Sequence, residues 1–220
     1  MPRPPTFDAD DLAAAGLAVV RRSGWEGVSV RAVAAAAGVS PMATYRLAAD
    51  ADALRRLVAD AAAEAVIPVD AGDLFATLDA WAHAAHDHLV RLPGLSTFVL
   101  ASWTELPRWL DVVEALLDAA DRDGQVGPAA IEAVNAVFSY VVARAGLYRT
   151  ATTGGRRRLG PVRDDPGRYP HLAADLREYV VPRTDHHFAV GLEALLAGLR
   201  ERARGAAAPP PSRAGPRPTA

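Results

Sequence analysis

The sequence contains no cysteine. That excludes a disulfide framework and any thiolate metal site. It contains no lysine, so all 24 basic residues are arginine. We read this as a coding bias toward GC-rich codons rather than as chemistry. Aromatic residues make up only 6 % of the chain. No apolar run approaches the roughly 18 residues of a membrane span. The opening "MPRPPTFDADD" also lacks the apolar core of a signal peptide. These absences point to a soluble, cytoplasmic protein with no membrane partner. There is no G-x-S-x-G, no phosphate loop and no convergent acid–base cluster. That argues against an enzyme, and no cofactor or metal is expected. The net charge of −2 gives no general affinity for nucleic acid, because non-specific DNA binding rests mainly on phosphate neutralisation.

What the chain does have is alanine and a helical period. Half of its 220 residues are apolar, enough to build one two-part protein with a substantial core. Alanine-rich sequence with few β-branched runs favours closely packed helices. The expected fold is all-α, and we find no internal repeat and no convincing strand. Residues 1–7 read as a flexible arm. From Asp8 onward, Leu12, Ala15, Gly16 and Val19 share one helical stripe. Asp8, Asp10 and Asp11 crowd the start of that helix, which suits its dipole, and Gly24 ends it. Ser29 caps a short helix, "VRAVAAAAG", that Gly38 stops. Ser40 caps a second, with Pro41 at its first position, where a missing N–H costs nothing. Asp50 starts a longer helix that ends before Pro68.

A helix-turn-helix needs small residues where its helices cross and a glycine at the turn. Ala34, Ala35 and Gly38 supply them, and Val39 is placed to dock the second helix. That helix must carry short polar groups into the major groove. Ser40, Thr44, Tyr45 and Arg46 are the candidates for double-stranded DNA, with Ser29, Arg31 and Pro41 beside them. For Arg31 a solvated surface role stays open. Met42 is expected to pack.

The stretch "VSVRAVAAAAGVSPMATYRLAADADALRRLVADA" resembles the N-terminal unit of the TetR family of repressors. The resemblance covers residues 8–66. It implies a three-helix DNA-binding head on an operator and a larger helical ligand-binding and dimerisation domain, here residues 67–204. It also implies a homodimer through the last two long helices, residues 128–152 and 184–203, and a small-molecule effector that releases the DNA. Leu47, Ala48 and Ala51 depart from the family's usual histidine, bulky apolar residue and basic residue. Residues 1–60 carry Arg3, Arg21, Arg22, Arg31, Arg46, Arg55 and Arg56 against Asp8, Asp10, Asp11, Glu26, Asp50, Asp52 and Asp60. The head is therefore formally neutral, and DNA binding weaker and less salt-sensitive than a typical member's is expected. An alternative stays open: a small-molecule-binding or interaction protein whose head binds DNA weakly or not at all.

Beyond Pro68, Leu74, Leu78, Trp81, Ala85 and Leu89 mark a buried helical face. Helices are expected near 95–105 and 107–122. A long one follows Gly127-Pro128, apolar nearly all round and so buried on more than one side. Residues 154–170 read as a loop bearing Arg156, Arg157 and Arg158 in solvent, and residues 205–220 as a disordered tail. The effector pocket is expected among Trp81, Phe98, Trp103, Trp109 and Phe138, with the polar pair Asn135 and Ser139. Ordinary core is the alternative for the aromatics, and dimer register is the alternative for the polar pair. His83, His86 and Asp87 have a spacing that can hold a metal, but a solvated helix face is the preferred reading.

Overall fold

Helix boundaries fall where the capping residues put them. The computed structural model describes residues 7–153, 160–174 and 184–207. Helix α1 (Ala9–Ser23) begins at Asp8, whose carboxylate accepts from the backbone N–H of Asp10 and Asp11 at 3.0 Å each. The Asp11 carboxylate accepts in turn from the Asp8 N–H at 3.2 Å. This reciprocal box satisfies amides that a helix leaves orphaned. Ser29 caps α2 (Val30–Ala37), Ser40 caps α3 (Pro41–Tyr45) and Asp50 caps α4 (Ala51–Ala61). Their side-chain oxygens accept from Ala32, Ala43 and Ala53 at 3.2, 3.2 and 2.7 Å.

Between α2 and α3 the chain turns at Gly38, with φ at +68°. The Val39 N–H donates to the Ala34 carbonyl and the Gly38 N–H to that of Ala35. This is a Schellman closure, and it needs the left-handed residue that glycine supplies. Helix α1 crosses α2 and α4 over Leu12, Val19, Val20, Val33, Leu54 and Val58, all buried. Gly16 allows the α1–α4 approach: a Cβ there would overlap the Val58 side chain.

After a 3-10 turn at Ala62–Val66 come α5 (Leu74–Val90), α6 (Leu95–Ser102), α7 (Pro107–Arg122) and α8 (Pro128–Thr153). Short α9 (Gly160–Asp164) and α10 (Pro170–Ala174) lead to the final α11 (Thr184–Ala207). Among the described residues there is no strand. Helix α8 is the centre of the body and packs on α5, α6, α7 and α11. Val134, Val137, Phe138, Val141 and Val142 are buried, as expected for a helix apolar on most sides. Against expectation, Pro128–Leu147 is long and apolar enough to cross a membrane. Its apolar residues instead serve the contacts just named.

Two boundaries differ from the sequence reading. Gly205–Ala207 continue α11 rather than starting the tail, because the alanines around Gly205 extend the helix. Gly160–Asp164, expected in the loop, form α9. The expectations for residues 1–6, Arg156, Arg157, Arg158 and 208–220 lie outside the described residues.

Candidate functional site

The reading helix α3 is short because Ser40 and Pro41 start it and the chain bends after Tyr45. Ser29, Arg31, Ser40, Pro41, Tyr45 and Arg46, six of the seven expected DNA-facing residues, are exposed to solvent. Each capping serine uses its oxygen as an acceptor and keeps its O–H free to donate to a phosphate. Thr44 is the exception. It is fully buried, on the inner side of α3 with Ala48 one turn further on. Its Oγ1 has no hydrogen-bond partner among the described residues. Met42, expected to pack, is 74 % exposed and takes the outward position instead. Helical phase explains both: α3 turns its 41–42–45 side outward and its Thr44 side toward the head core.

Ala51, at the exposed first turn of α4, offers no charge to a phosphate. The head's acids do not all face outward. Asp10 receives the Arg108 guanidinium at 2.7 Å, and Asp60 accepts the Arg108 N–H at 2.8 Å. Burial raises the Asp60 pKa above the ordinary carboxylate value, and the Arg108 N–H opposes that rise.

The same region joins head to body. The Trp109 indole N–H donates to the Ala59 carbonyl of α4 at 2.9 Å, and the Trp81 N–H donates to the Val66 carbonyl at 2.9 Å. Trp25 packs on Phe98 with centroids 4.9 Å apart, carries the Arg55 guanidinium over its ring, and donates its backbone N–H to the Pro93 carbonyl. His88 sits nearby in α5. Burial lowers its pKa, and Arg21 and Arg91 add to that.

Between α7 and α8 lies an apolar cavity of about 100 Å³. Helix α7 contributes Val113 and Leu117, and α8 contributes Ile131, Val134, Asn135 and Phe138. Trp103, on the 3-10 turn Trp103–Glu105, closes it. Of the expected pocket residues, Trp103, Asn135 and Phe138 therefore line one cavity. The others do not. Trp81 and Trp109 stand behind Phe138 as buried core, because their N–H groups are drawn to head carbonyls. Phe98 belongs to the head–body contact with Trp25. Ser139, half-buried, is not part of the lining, being turned 100° around α8 from Phe138. The four aliphatic lining residues were missed; their spacing on α7 and α8 was the available signal, but it looks the same for plain core. A wider open hollow near Phe75 and Arg200 mixes charges of both signs and has no comparable aromatic wall.

His83 and His86, weighed as metal ligands, both pack on the Phe188 ring of α11. His86 is buried rather than solvated, and burial lowers its pKa. Among the described residues no group of three His, Asp or Glu could hold a metal.

A helix-turn-helix head clamped to a helical body with an aromatic-walled cavity that opens to solvent at Ile131 and Asn135 is the architecture of a one-chain transcriptional regulator. Comparison with known proteins narrows this. The family model described as "Tetracyclin repressor-like, C-terminal domain" matches residues 68–203. The HTH-type transcriptional repressor DrrR1 of Streptomyces coeruleorubidus is 30 % identical, over 93 % of this chain and 83 % of its own length. A possible TetR family transcriptional regulator from Streptomyces coelicolor superposes with a TM-score of 0.73 at 25 % identity, over 89 % of this chain and 100 % of that one. ActR from Streptomyces coelicolor in complex with actinorhodin superposes with a TM-score of 0.70 at 18 % identity, over 90 % of this chain and 99 % of that one, a likeness of fold. The chain belongs to the TetR family of transcriptional regulators.

Proposed function

We propose that this chain is a cytoplasmic homodimeric repressor without enzymatic activity. Residues 8–66 would hold a double-stranded operator, and residues 67–204 would carry the effector site and the dimer contact. The DNA-facing set is Ser29, Arg31, Ser40, Pro41, Tyr45 and Arg46, and the effector site is the α7–α8 cavity. The observation that carries this reading is the sharing of Trp109. Its ring meets Phe138 of the cavity edge-on at 5.9 Å, and its N–H binds Ala59 of α4. Next to it, Arg108 grips Asp10 of α1 and Asp60 of α4. Helix α7 thus touches both the cavity and the head. At about 100 Å³ the cavity is below the roughly 300–1,000 Å³ of usual ligand sites. A ligand must therefore displace the lining, and a displaced α7 pulls on α1 and α4. That motion changes the spacing of two heads in a dimer and releases the DNA.

Family members bind operators as dimers. Helix α11 exposes Val190 (51 %), Ala194 and Ala197, and α8 exposes Leu147 (54 %) and leaves Ala136 and Ala143 half-open. Such faces suit close approach of a second copy. Val190→Arg with Ala194→Arg is expected to convert the dimer to a monomer in analytical ultracentrifugation and to abolish operator binding.

Footprinting on the protein's own upstream DNA, with and without small molecules, tests the whole reading. Protection that a ligand relieves supports it. The second reading, a ligand-binding protein with an ineffective head, is favoured by the uncharged Ala51 at the first turn of α4. Absence of any protected site would select it.

A further inference from the structure

We propose that Met42 makes the head a reader of thymine: its side chain packs on the C5 methyl of one thymine in each operator half-site. This rests on the reading of residues 8–66 as the operator-binding unit. The first argument is what α3 holds. Pro41–Tyr45 carries no Arg, Lys, Asn, Gln, Asp or Glu, the side chains that hydrogen-bond base edges in defined pairings. Thr44, one of its two hydroxyl residues, is fully buried. The side chains that α3 turns outward are Pro41, Met42 at 74 % exposure and Tyr45 at 47 %. Tyr45 lies one helical turn from Met42 on the same side. Leu47, two residues past the helix, is 37 % exposed. The outward surface of α3 is therefore mainly apolar.

The second argument is what a duplex offers. Each base pair presents donors and acceptors to the major groove, and thymine alone adds an apolar group, its C5 methyl. A reading helix meets base edges through its first residues, and Met42 is the second residue of α3. Its backbone is fixed there. The Ser40 Oγ accepts from the Ala43 N–H at 3.2 Å, and Pro41 restrains the first turn. Its side chain is unbranched and adapts to where the methyl lies. The rim of the patch identifies DNA as the occupant rather than an apolar face of another protein. Arg46 directly follows Tyr45 and is exposed, and Ser40 at the helix start keeps its O–H to give to a phosphate. An exposed apolar group gains by leaving water. Covering one methyl is worth about a fourfold change in affinity, and two half-sites about fifteenfold.

Selection of duplexes from a random pool by the full-length protein supplies the operator. The selected duplex is then made in two forms, with thymine or with deoxyuridine, which lacks only the methyl. Fluorescence polarisation should show the deoxyuridine form bound at least about tenfold more weakly. Single replacements should trace the largest loss to the same position in each half-site. In Met42→Ala, replacement at that position should change affinity by less than about twofold. The melting temperature of Met42→Ala should not move, because the side chain stands in solvent. Met42→Leu, which restores an apolar side chain, should restore most of the preference for thymine. Equal wild-type affinity for the two forms would overturn the thymine reading and leave operator binding standing. So would a methyl preference that survives Met42→Ala unchanged. A pool in which no sequence is enriched would overturn the operator reading, and the thymine reading with it.

Discussion

Thr44→Val tests the assignment of the reading helix most directly. Sequence spacing offers Thr44 to the DNA, whereas the structure buries it completely and leaves its hydroxyl unpartnered. Valine has nearly the same shape, so the substitution exchanges an unmet hydroxyl for a methyl group in unchanged space. An unsatisfied buried polar group costs about 1–3 kcal/mol. A single hydroxyl on a five-residue helix that can breathe toward water belongs at the lower end, about 1 kcal/mol or slightly more. For a chain of this size each kcal/mol moves Tm by about 2–4 °C. Thermal melts followed by circular dichroism should therefore show a rise of about 2–6 °C. Urea melts should show a higher midpoint at unchanged slope. Operator affinity, measured by fluorescence polarisation on the footprinted fragment, should stay within about twofold, because no groove contact is lost. A fall in stability, or an affinity loss of about tenfold with stability intact, would refute the reasoning. The latter would mean that the hydroxyl turns outward to the DNA.

Further outcomes follow from the junction, the head and the histidines. Trp109→Phe removes the indole N–H and leaves the Ala59 carbonyl buried without its partner. Urea melts should record a loss of about 1–3 kcal/mol, and ligand-induced DNA release should weaken. Arg108→Ala removes only a largely exposed ion pair with Asp10. Its stability effect should therefore stay within about 1 kcal/mol, and a larger loss in the melt would contradict the exposure argument. Operator affinity should fall only gently with salt, with a log–log slope shallower than about −6, because the head is formally neutral and Ala51 carries no charge. A polarisation titration across salt concentrations measures this, and a steeper slope contradicts it. The histidines give a pH signature. Burial lowers the pKa of both His86 and His88 below the ordinary histidine value of 6.5. Below that pH the unfolded chain takes protons that the folded chain refuses, so stability falls as pH drops from 6.5 toward the lowered values. Above it both states are neutral and the effect vanishes. Melts at pH values on either side of the window, repeated with His86→Leu plus His88→Leu, should show the slope flatten in the variant.

Local chemistry determined the head. Asp8, Ser29, Ser40 and Asp50 cap their own helices through atoms two or three residues away. Gly38 makes its turn by backbone freedom alone. Such signals lie wholly within a short window of sequence, so the helix order and the family resemblance were legible there. The periodic face of α5 was legible for the same reason, since Leu74, Leu78, Trp81, Ala85 and Leu89 are all buried. Periodicity says that a side chain turns inward but not what it meets. Trp81, Trp103, Trp109, Phe98 and Phe138 look alike in sequence, yet one walls a cavity, two bind head carbonyls, one packs on Trp25 and one joins cavity to core. The Arg108–Asp10 pair spans 98 residues, and nothing local to either residue announces it. Thr44 turned inward because a five-residue helix takes its rotation from what it packs on, not from its own pattern. The sequence by itself determined where the capped helices of the head start and which face of a long helix such as α5 is buried. Only tertiary packing decided which inward residues leave a space between them and which tie the head to the body, because those roles depend on distances between segments far apart in the chain.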